Sequence, residues 1–340
     1  MSKFINIIIN PVGDSCNLKC RYCYTLERVE DKKRLLLDNI FKLIDCLCED
    51  DNLQCINFTW HGGEPLLMGI RYFKEVLLYQ KLKLFNITYY NIIQSNGLLI
   101  DTEWIELIKQ YGINLGVSID GPDYLSNSSR FSSEGEFDKL ISNLWLLKKS
   151  NCAPALFCTL TEKNIDKLDS LFAFIEDYRP YAYMFNPVMD NDYAISANTF
   201  KDILFKMKLF SERTGIINTL TYHIDNGVNG LMPQLCLVNG MCHKFISMDN
   251  NGFIYASCIN HEKKYLLTNI KNADAWTIVQ EYIDKHIEMK KDSIYMRLNQ
   301  SVKYKYFQGN GCSKCRTCNN NEEFVNGIVE YIKLISDENN

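Results

Sequence analysis

The sequence has no apolar run close to the roughly 20 residues that cross a bilayer. Its formal charge of −4 over 340 residues gives no broad attraction to nucleic acid or an anionic membrane. Repeats, low-complexity tracts and long flexible linkers are missing too. The opening Met1-Ser2-Lys3-Phe4 runs into Ile-rich sequence broken by Asn6 and Asn10, without a secretory cleavage region, so a cytoplasmic protein is expected. What is there is enough for a substantial core: 46% hydrophobic and 12% aromatic residues, in a length that suits one large domain or two ordinary ones.

The unusual abundance is cysteine, with fourteen. In a large chain without an export signal, grouped cysteines bind metal more often than they form disulfides. Three groups stand out: Cys16, Cys20 and Cys23; then Cys236, Cys242 and Cys258; then Cys312, Cys315 and Cys318. The other five, Cys46, Cys48, Cys55, Cys152 and Cys158, fall in helix-like or strand-like segments and read as small buried hydrophobes.

Up to residue 213 the hydrophobic period alternates between strand and helix. Strands are expected at Phe4–Asn10, Gln54–Trp60, Ile87–Gln94, Ile113–Ile119, Ala155–Leu160 and Ala182–Val188. Helices follow them at Lys33–Cys48, Ile70–Leu84, Thr102–Tyr111, Phe137–Lys149, Ile165–Tyr178 and Asn198–Arg213. Six βα units predict an α/β fold on a parallel sheet, closed into a partial barrel or lying open as a doubly wound sheet. From residue 214 the alternation gives way to short segments, turns and the remaining cysteines. This predicts a second, metal-stapled module over 214–340 that ends in an amphipathic helix at Glu322–Ser336.

The unusual motifs fall at strand ends, where parallel αβ barrels carry their active sites. Cys16–Cys23 follows the first strand, His61-Gly62-Gly63-Glu64-Pro65 the second, Gln94-Ser95-Asn96-Gly97 the third and Ser118-Ile119-Asp120-Gly121-Pro122 the fourth. Spaced by three residues and then two, Cys16, Cys20 and Cys23 offer three thiolates where a cubane iron–sulfur cluster needs four ligands, which leaves one iron open to bind a small molecule. A zinc knuckle with His61 as fourth ligand is the competing reading. Asp120 reads as a turn former.

The cysteine loop, with Gly-Gly-Glu-Pro at the next strand end, resembles the radical S-adenosylmethionine (SAM) superfamily over most of residues 4–190. That resemblance implies a partial (β/α)6 TIM-like barrel over 1–213. It also implies a [4Fe–4S] cluster on Cys16, Cys20 and Cys23 that cleaves bound SAM to a 5′-deoxyadenosyl radical. Gly62 and Gly63 would let backbone carbonyls approach the SAM ammonium, with Glu64 anchoring their loop. His61, Ser95 and Asn96 are counted in the same cofactor site. Ser118 would offer a hydroxyl to ribose or carboxylate, and Arg130 a bidentate partner to the carboxylate. Tyr22 and Tyr24 would flank the cluster or the adenine.

The later cysteines surround a predicted hairpin over Met248–Tyr255 and resemble the SPASM domain, or its shorter twitch relative, which holds auxiliary iron–sulfur clusters. The expected arrangement is one complete auxiliary cluster on Cys242, Cys258 and two of Cys312, Cys315 and Cys318, with Cys236 as an alternative ligand. A second, incompletely ligated cluster or a zinc ribbon are the alternatives. The resemblance implies oxidative modification of a ribosomally made peptide or protein. In the anaerobic sulfatase maturases, which the chain also resembles, an aspartate base follows the cysteine matching Cys258. Here Ile259 stands there, so a thioether or carbon–carbon crosslink is favoured over formylglycine. The other readings are dehydrogenation of a small molecule by a twitch-type enzyme and a zinc-stapled binding module. The expected partners are a precursor peptide or protein, a separate peptide-recognition protein, because the cluster loop begins by residue 16, and an electron donor such as flavodoxin or ferredoxin.

Overall fold

The structure is a computed structural model that describes residues 4–23, 33–161, 164–188, 195–229, 231, 245–256, 261, 263–289 and 322–337. The chain divides into two compact units, one of residues 1–117, 138–152 and 243–291, the other of residues 118–137, 153–242 and 292–340.

The first unit is built on β1 (Phe4–Ile9), β2 (Cys55–Trp60), β3 (Thr88–Ser95) and β4 (Asn114–Ser118), with α1 (Leu37–Cys48), α2 (Ile70–Lys83), α3 (Thr102–Tyr111) and α4 (Glu134–Lys149) after them in turn. The strand order is β4-β3-β2-β1, all parallel. The alternation of strand and helix was readable because β1, β2 and β3 are runs rich in β-branched or aromatic residues and α1 and α3 each bury an apolar stripe. Asp101 caps α3, its Oδ1 accepting from the Trp104 amide at 2.9 Å. Several boundaries differ from expectation, α4 starting at Glu134 rather than Phe137 and the helix that ends at Tyr178 starting at Leu168 rather than Ile165, and the largest shift is in α1. α1 begins at Leu37 rather than Lys33, because Leu36 is extended and the Leu35 amide donates to the Pro11 carbonyl at 2.8 Å. Residues 33–36 thus lie along the cysteine loop instead of coiling.

The sequence pattern did not disclose β7 (Phe245–Met248). It joins the free edge of β1 in parallel, Asn6 opposite Phe245 and Ile9 opposite Met248. β8 (Phe253–Tyr255) and β9 (Leu266–Asn269) continue the sheet antiparallel, as the hairpin reading required of Met248–Tyr255. After them α8 (Ala275–Met289) returns to α1, where Trp276 Nε1 and Gln280 Nε2 both donate to Asp50 Oδ2, at 3.0 and 2.8 Å.

The two faces of this sheet differ. One carries Ile5, Ile7, Ile9, Ile56, Phe58, Trp60 and Ile93, all buried. Trp60 packs edge-on to Phe73 of α2 (5.0 Å between centroids), and Phe73 to Trp104 of α3 (5.3 Å). The other face carries Asn6, Ile8, Asn57, Thr59, Ile92, Gln94, Ser247 and Tyr255, brought side by side by the strand registers. Asn57 Nδ2 donates to Asn6 Oδ1 across the strands at 3.0 Å. Parallel sheets are normally apolar on both faces, so a polar, partly open face marks a place built to receive something.

The second unit holds β5 (Ala155–Leu160) and β6 (Tyr183–Pro187), parallel to each other, with α5 (Leu168–Tyr178), α6 (Ala197–Thr214), α7 (Thr219–Val228) and α9 (Glu322–Asp337). α9 occupies the expected amphipathic span. It crosses α6 at Gly327, where an added Cβ would stand 3.0 Å from the Ala197 carbonyl, and Tyr331 donates to Asp225 of α7 at 3.2 Å. Among the described residues no helix is long and apolar enough to cross a membrane.

Candidate active site

The ends of β1, β2 and β3 are bolted together by backbone and carboxylate hydrogen bonds. The His61 amide donates to Ile9 O (2.9 Å), Gly63 to Gly13 O (3.0 Å) and Glu64 to Ser15 O (2.9 Å). A side chain would part these two loops. A Cβ on Gly63 would lie 1.9 Å from the Ser15 carbonyl, and one on Gly62, whose φ is +130°, would lie 2.2 Å from Asn10 Oδ1. The sequence reading gave these glycines to ligand approach; the geometry adds that they let the Gly-Gly-Glu loop lie directly on the cysteine loop.

Glu64 is the bolt. Its Oε1 accepts from the Leu66 amide (3.1 Å) and Ser95 Oγ (3.0 Å), and its Oε2 from the Asn96 amide (2.8 Å). Burial pushes this carboxyl up to about 7, against the pull of its three donors. Asn96 in turn reaches the cysteine loop, its Nδ2 donating to Asn17 Oδ1 (2.7 Å) and lying 3.8 Å from Cys16 Sγ. The Leu18 amide also donates to that sulfur, at 3.4 Å. Burial of the sulfur raises the Cys16 thiol above its ordinary value, and these two donors oppose the rise. Burial also lowers the His61 imidazole below its ordinary value.

The three thiols share one loop and are not disulfide-bonded; Cys16 is exposed as a residue although its sulfur lies against the Leu18 amide and Asn96, and Cys20 and Cys23 are half-buried. Among the described residues no three Cys, His, Asp or Glu side chains are gathered into one coordination shell. The donor chemistry and the tightly seated loop fit a cluster that takes three protein thiolates and keeps one iron open. Tyr22 is half-buried in the same loop. Tyr24, Cys236, Cys242, Cys258, Cys312, Cys315 and Cys318 lie outside the described residues.

In the second unit, Arg130 is buried and pairs with Asp120, Nη2 to Oδ1 at 3.2 Å. Asp120 Oδ1 also accepts from the Thr159 amide (3.0 Å), and its main-chain amide donates to Asn127 Oδ1 (2.8 Å). Asp120 therefore does more than turn the chain: it anchors Arg130 and β5. Cys158 is buried beside this pair, its thiol raised well above the ordinary value chiefly by burial. It is the small buried hydrophobe expected, whereas Cys46, Cys48, Cys55 and Cys152 are only half-buried. Ser118 is half-buried at the end of β4.

A further polar group escaped the sequence reading as a unit. On the open face of the first unit, His261 Nε2 lies 3.1 Å from Ser247 Oγ, its ring stacks on Tyr255 (4.7 Å), and Tyr255 donates to Asp249 Oδ2 at 3.1 Å. Only the parallel pairing of β7 with β1 brings Ser247 beside Ile8 on that face.

A three-thiol loop seated on a Gly-Gly-Glu strand end defines the class. Residues 10–174 match the radical SAM superfamily, so the chain carries a radical SAM domain; it is an enzyme that works with a [4Fe–4S] cluster and SAM. The chain is 30% identical over 196 residues to a serine-type anaerobic sulfatase-maturating enzyme of Bacteroides thetaiotaomicron, covering 56% of this chain and 47%, about half, of that protein. It is 24% identical over 360 residues to a cysteine-type enzyme of Clostridium novyi, covering 97% and 92%. Among solved structures it resembles anSMEcpe with bound AdoMet and the Cp18Cys peptide (TM-score 0.81, 20% identity, 99% of both chains). It also resembles Streptococcus suis SuiB bound to its precursor peptide SuiA (TM-score 0.62, 13% identity, 92% of this chain and 75% of that one). These likenesses show the fold, a mixed α/β partial barrel.

Proposed function

We propose that this enzyme oxidatively modifies a ribosomally made peptide or protein, with a thioether or carbon–carbon crosslink as the favoured product. The observation that carries the radical chemistry is the Glu64 junction, which fixes the three-cysteine loop against Gly62, Gly63 and Asn96. Cys16, Cys20 and Cys23 would hold the cluster, which when reduced supplies the electron that splits SAM. Gly62, Gly63, Glu64, Ser95 and Asn96 form the floor on which SAM would rest. Ser118 and Arg130 stay candidates for its ribose and carboxylate from the superfamily resemblance alone. Cys236, Cys242, Cys258, Cys312, Cys315 and Cys318 are the candidate ligands of an auxiliary cluster.

A peptide substrate is supported by the near full-length match to a sulfatase-maturating enzyme and by the peptides bound in anSMEcpe and SuiB. Formylglycine formation is the second reading, favoured by that match; Ile259, where the maturases carry an aspartate, speaks against it. The reconstituted protein should be brown, and with dithionite and SAM it should release 5′-deoxyadenosine. A Cys16→Ala/Cys20→Ala/Cys23→Ala variant should release none, and equal release by that variant would sink the assignment. Mass spectrometry of a co-expressed candidate peptide then separates a crosslink, seen as loss of two hydrogens, from other outcomes.

A further inference from the structure

One buried polar group at the end of β1 has a place but no partner. Asn10 follows Ile9, whose side chain lies in the core, so strand alternation turns Asn10 toward the open face with Asn6 and Ile8. Its main-chain amide donates to Met248 O at 2.9 Å, which holds the backbone in line with β7. Its side chain lies flat on Gly62. A Cβ on that glycine would stand 2.2 Å from Asn10 Oδ1, 2.3 Å from Cγ and 2.8 Å from Nδ2, so only glycine admits this carboxamide. Asn10 is 7% exposed, and among the described residues its Oδ1 finds no hydrogen-bond donor. Other side-chain amides of the same sheet are matched: Asn6 Oδ1 accepts from Asn57 at 3.0 Å, and Asn91 Oδ1 from Trp60 Nε1 at 2.9 Å. A buried acceptor without a donor disfavours the state that contains it, and a ligand that brings the donor removes that cost. Asn10 stands between β1 and the cysteine loop, on the glycine that opens Gly-Gly-Glu.

We propose that Asn10 is a positioning residue for SAM, its side-chain carbonyl accepting a hydrogen bond from the cofactor's ammonium group beside the main chain of Gly62 and Gly63. The proposal rests on reading Gly62–Glu64 as the floor under SAM. A carbonyl oxygen only accepts, and of the charged groups of SAM (ammonium, carboxylate and sulfonium) the ammonium alone carries N–H donors. The terminal torsion of an asparagine is broad, so a turn about Cβ–Cγ lifts Oδ1 off Gly62 toward the open face without moving the strand. A hydrogen bond to a charged group is stronger than one between neutral groups, so this one contact carries about tenfold or more in affinity.

The test uses the full-length reconstituted enzyme and two probes: SAM, and the sulfonium analogue in which hydrogen replaces the amino group. Dissociation constants are measured by anaerobic calorimetry, with iron content, and with KM and kcat for 5′-deoxyadenosine release under dithionite. Asn10→Leu keeps the shape and removes the acceptor. It should weaken SAM binding about tenfold or more and leave the affinity for the analogue within about twofold of wild type. Its KM for SAM should rise while kcat and iron stay near wild type. Asn10→Asp restores an acceptor and should bind SAM more tightly than Asn10→Leu. Unchanged SAM affinity in Asn10→Leu with full iron would overturn the proposal. So would an equal loss for both probes, which would make the effect one of shape. If Asn10→Leu loses iron, Asn10→Ala is put through the same comparison. Iron loss in both would make Asn10 a prop of the cysteine loop and overturn the proposal too. Failure of the iron-loaded wild type to bind SAM at all would instead overturn the reading of the Gly62–Glu64 floor.

Discussion

Glu64→Gln isolates the charge that the fold buries at the junction of β1, β2 and β3. The wild-type carboxyl moves from an ordinary 4.5 to about 7 because it is buried. Below pH 4.5 it is neutral in both the folded and the unfolded chain. Above pH 7 it is ionised in both, and the folded state bears the full penalty. A carboxyl raised in this way gives stability that is present below 4.5 and lost as pH climbs through 7. At about 1.4 kcal/mol per pH unit the loss comes to about 3 kcal/mol. Glutamine keeps one acceptor and turns an amide N–H toward Leu66 and Ser95 or toward Asn96, a mismatch of about 1–3 kcal/mol that does not vary with pH. The offset and the slope are therefore separable. Urea titrations of the cluster-free protein at pH 5, 6, 7 and 8, followed by the fluorescence of buried Trp60 and Trp104, should show the wild-type midpoint falling relative to the variant by about 1–3 M, taking m near 1–3 kcal/mol/M. Parallel midpoints across that range would refute the reasoning: the three donors, not burial, would then set the ionisation of Glu64.

Gly63→Ala should drive a methyl group into the Ser15 carbonyl, cost roughly 1–3 kcal/mol and lower the iron retained after reconstitution, as checked by iron assay and thermal unfolding. Asp120→Asn leaves Arg130 buried without its counter-charge and should cost about 3–5 kcal/mol, while Asp120→Asn/Arg130→Met should recover at least half of that on a thermal melt.

The alternating elements were legible because their information is local. β5 and α3 lie where the side-chain period puts them, and α9 shows its stripe in one sixteen-residue span. The cysteine loop and Gly-Gly-Glu-Pro were legible as residue types at fixed spacing. What could not be read depends on distant pairing. β7 is four residues long, too short for a period, and pairing with β1 and β8 makes it a strand. The late start of α1 follows from the hold of Pro11 on Leu35. Neither the threefold acceptor role of Glu64 nor the Asp120–Arg130 pair has a spacing signature, because both join residues whose nearness the fold creates. The Ser247–His261–Tyr255 group has no spacing signature either, for the same reason.

The parallel union of β1 with β7 sets a clock on biosynthesis. Ile7 leaves the ribosome first, and its neighbour Ile246 is added 239 positions later. At about 5–20 residues per second the nascent chain carries one flank of its earliest strand unmated for roughly 12–48 s. An apolar strand left open that long invites pairing with another copy. Chaperone demand should therefore concentrate in this interval, and a polypeptide halted before Phe245 should collect in inclusion bodies, although its βα repeats are otherwise complete.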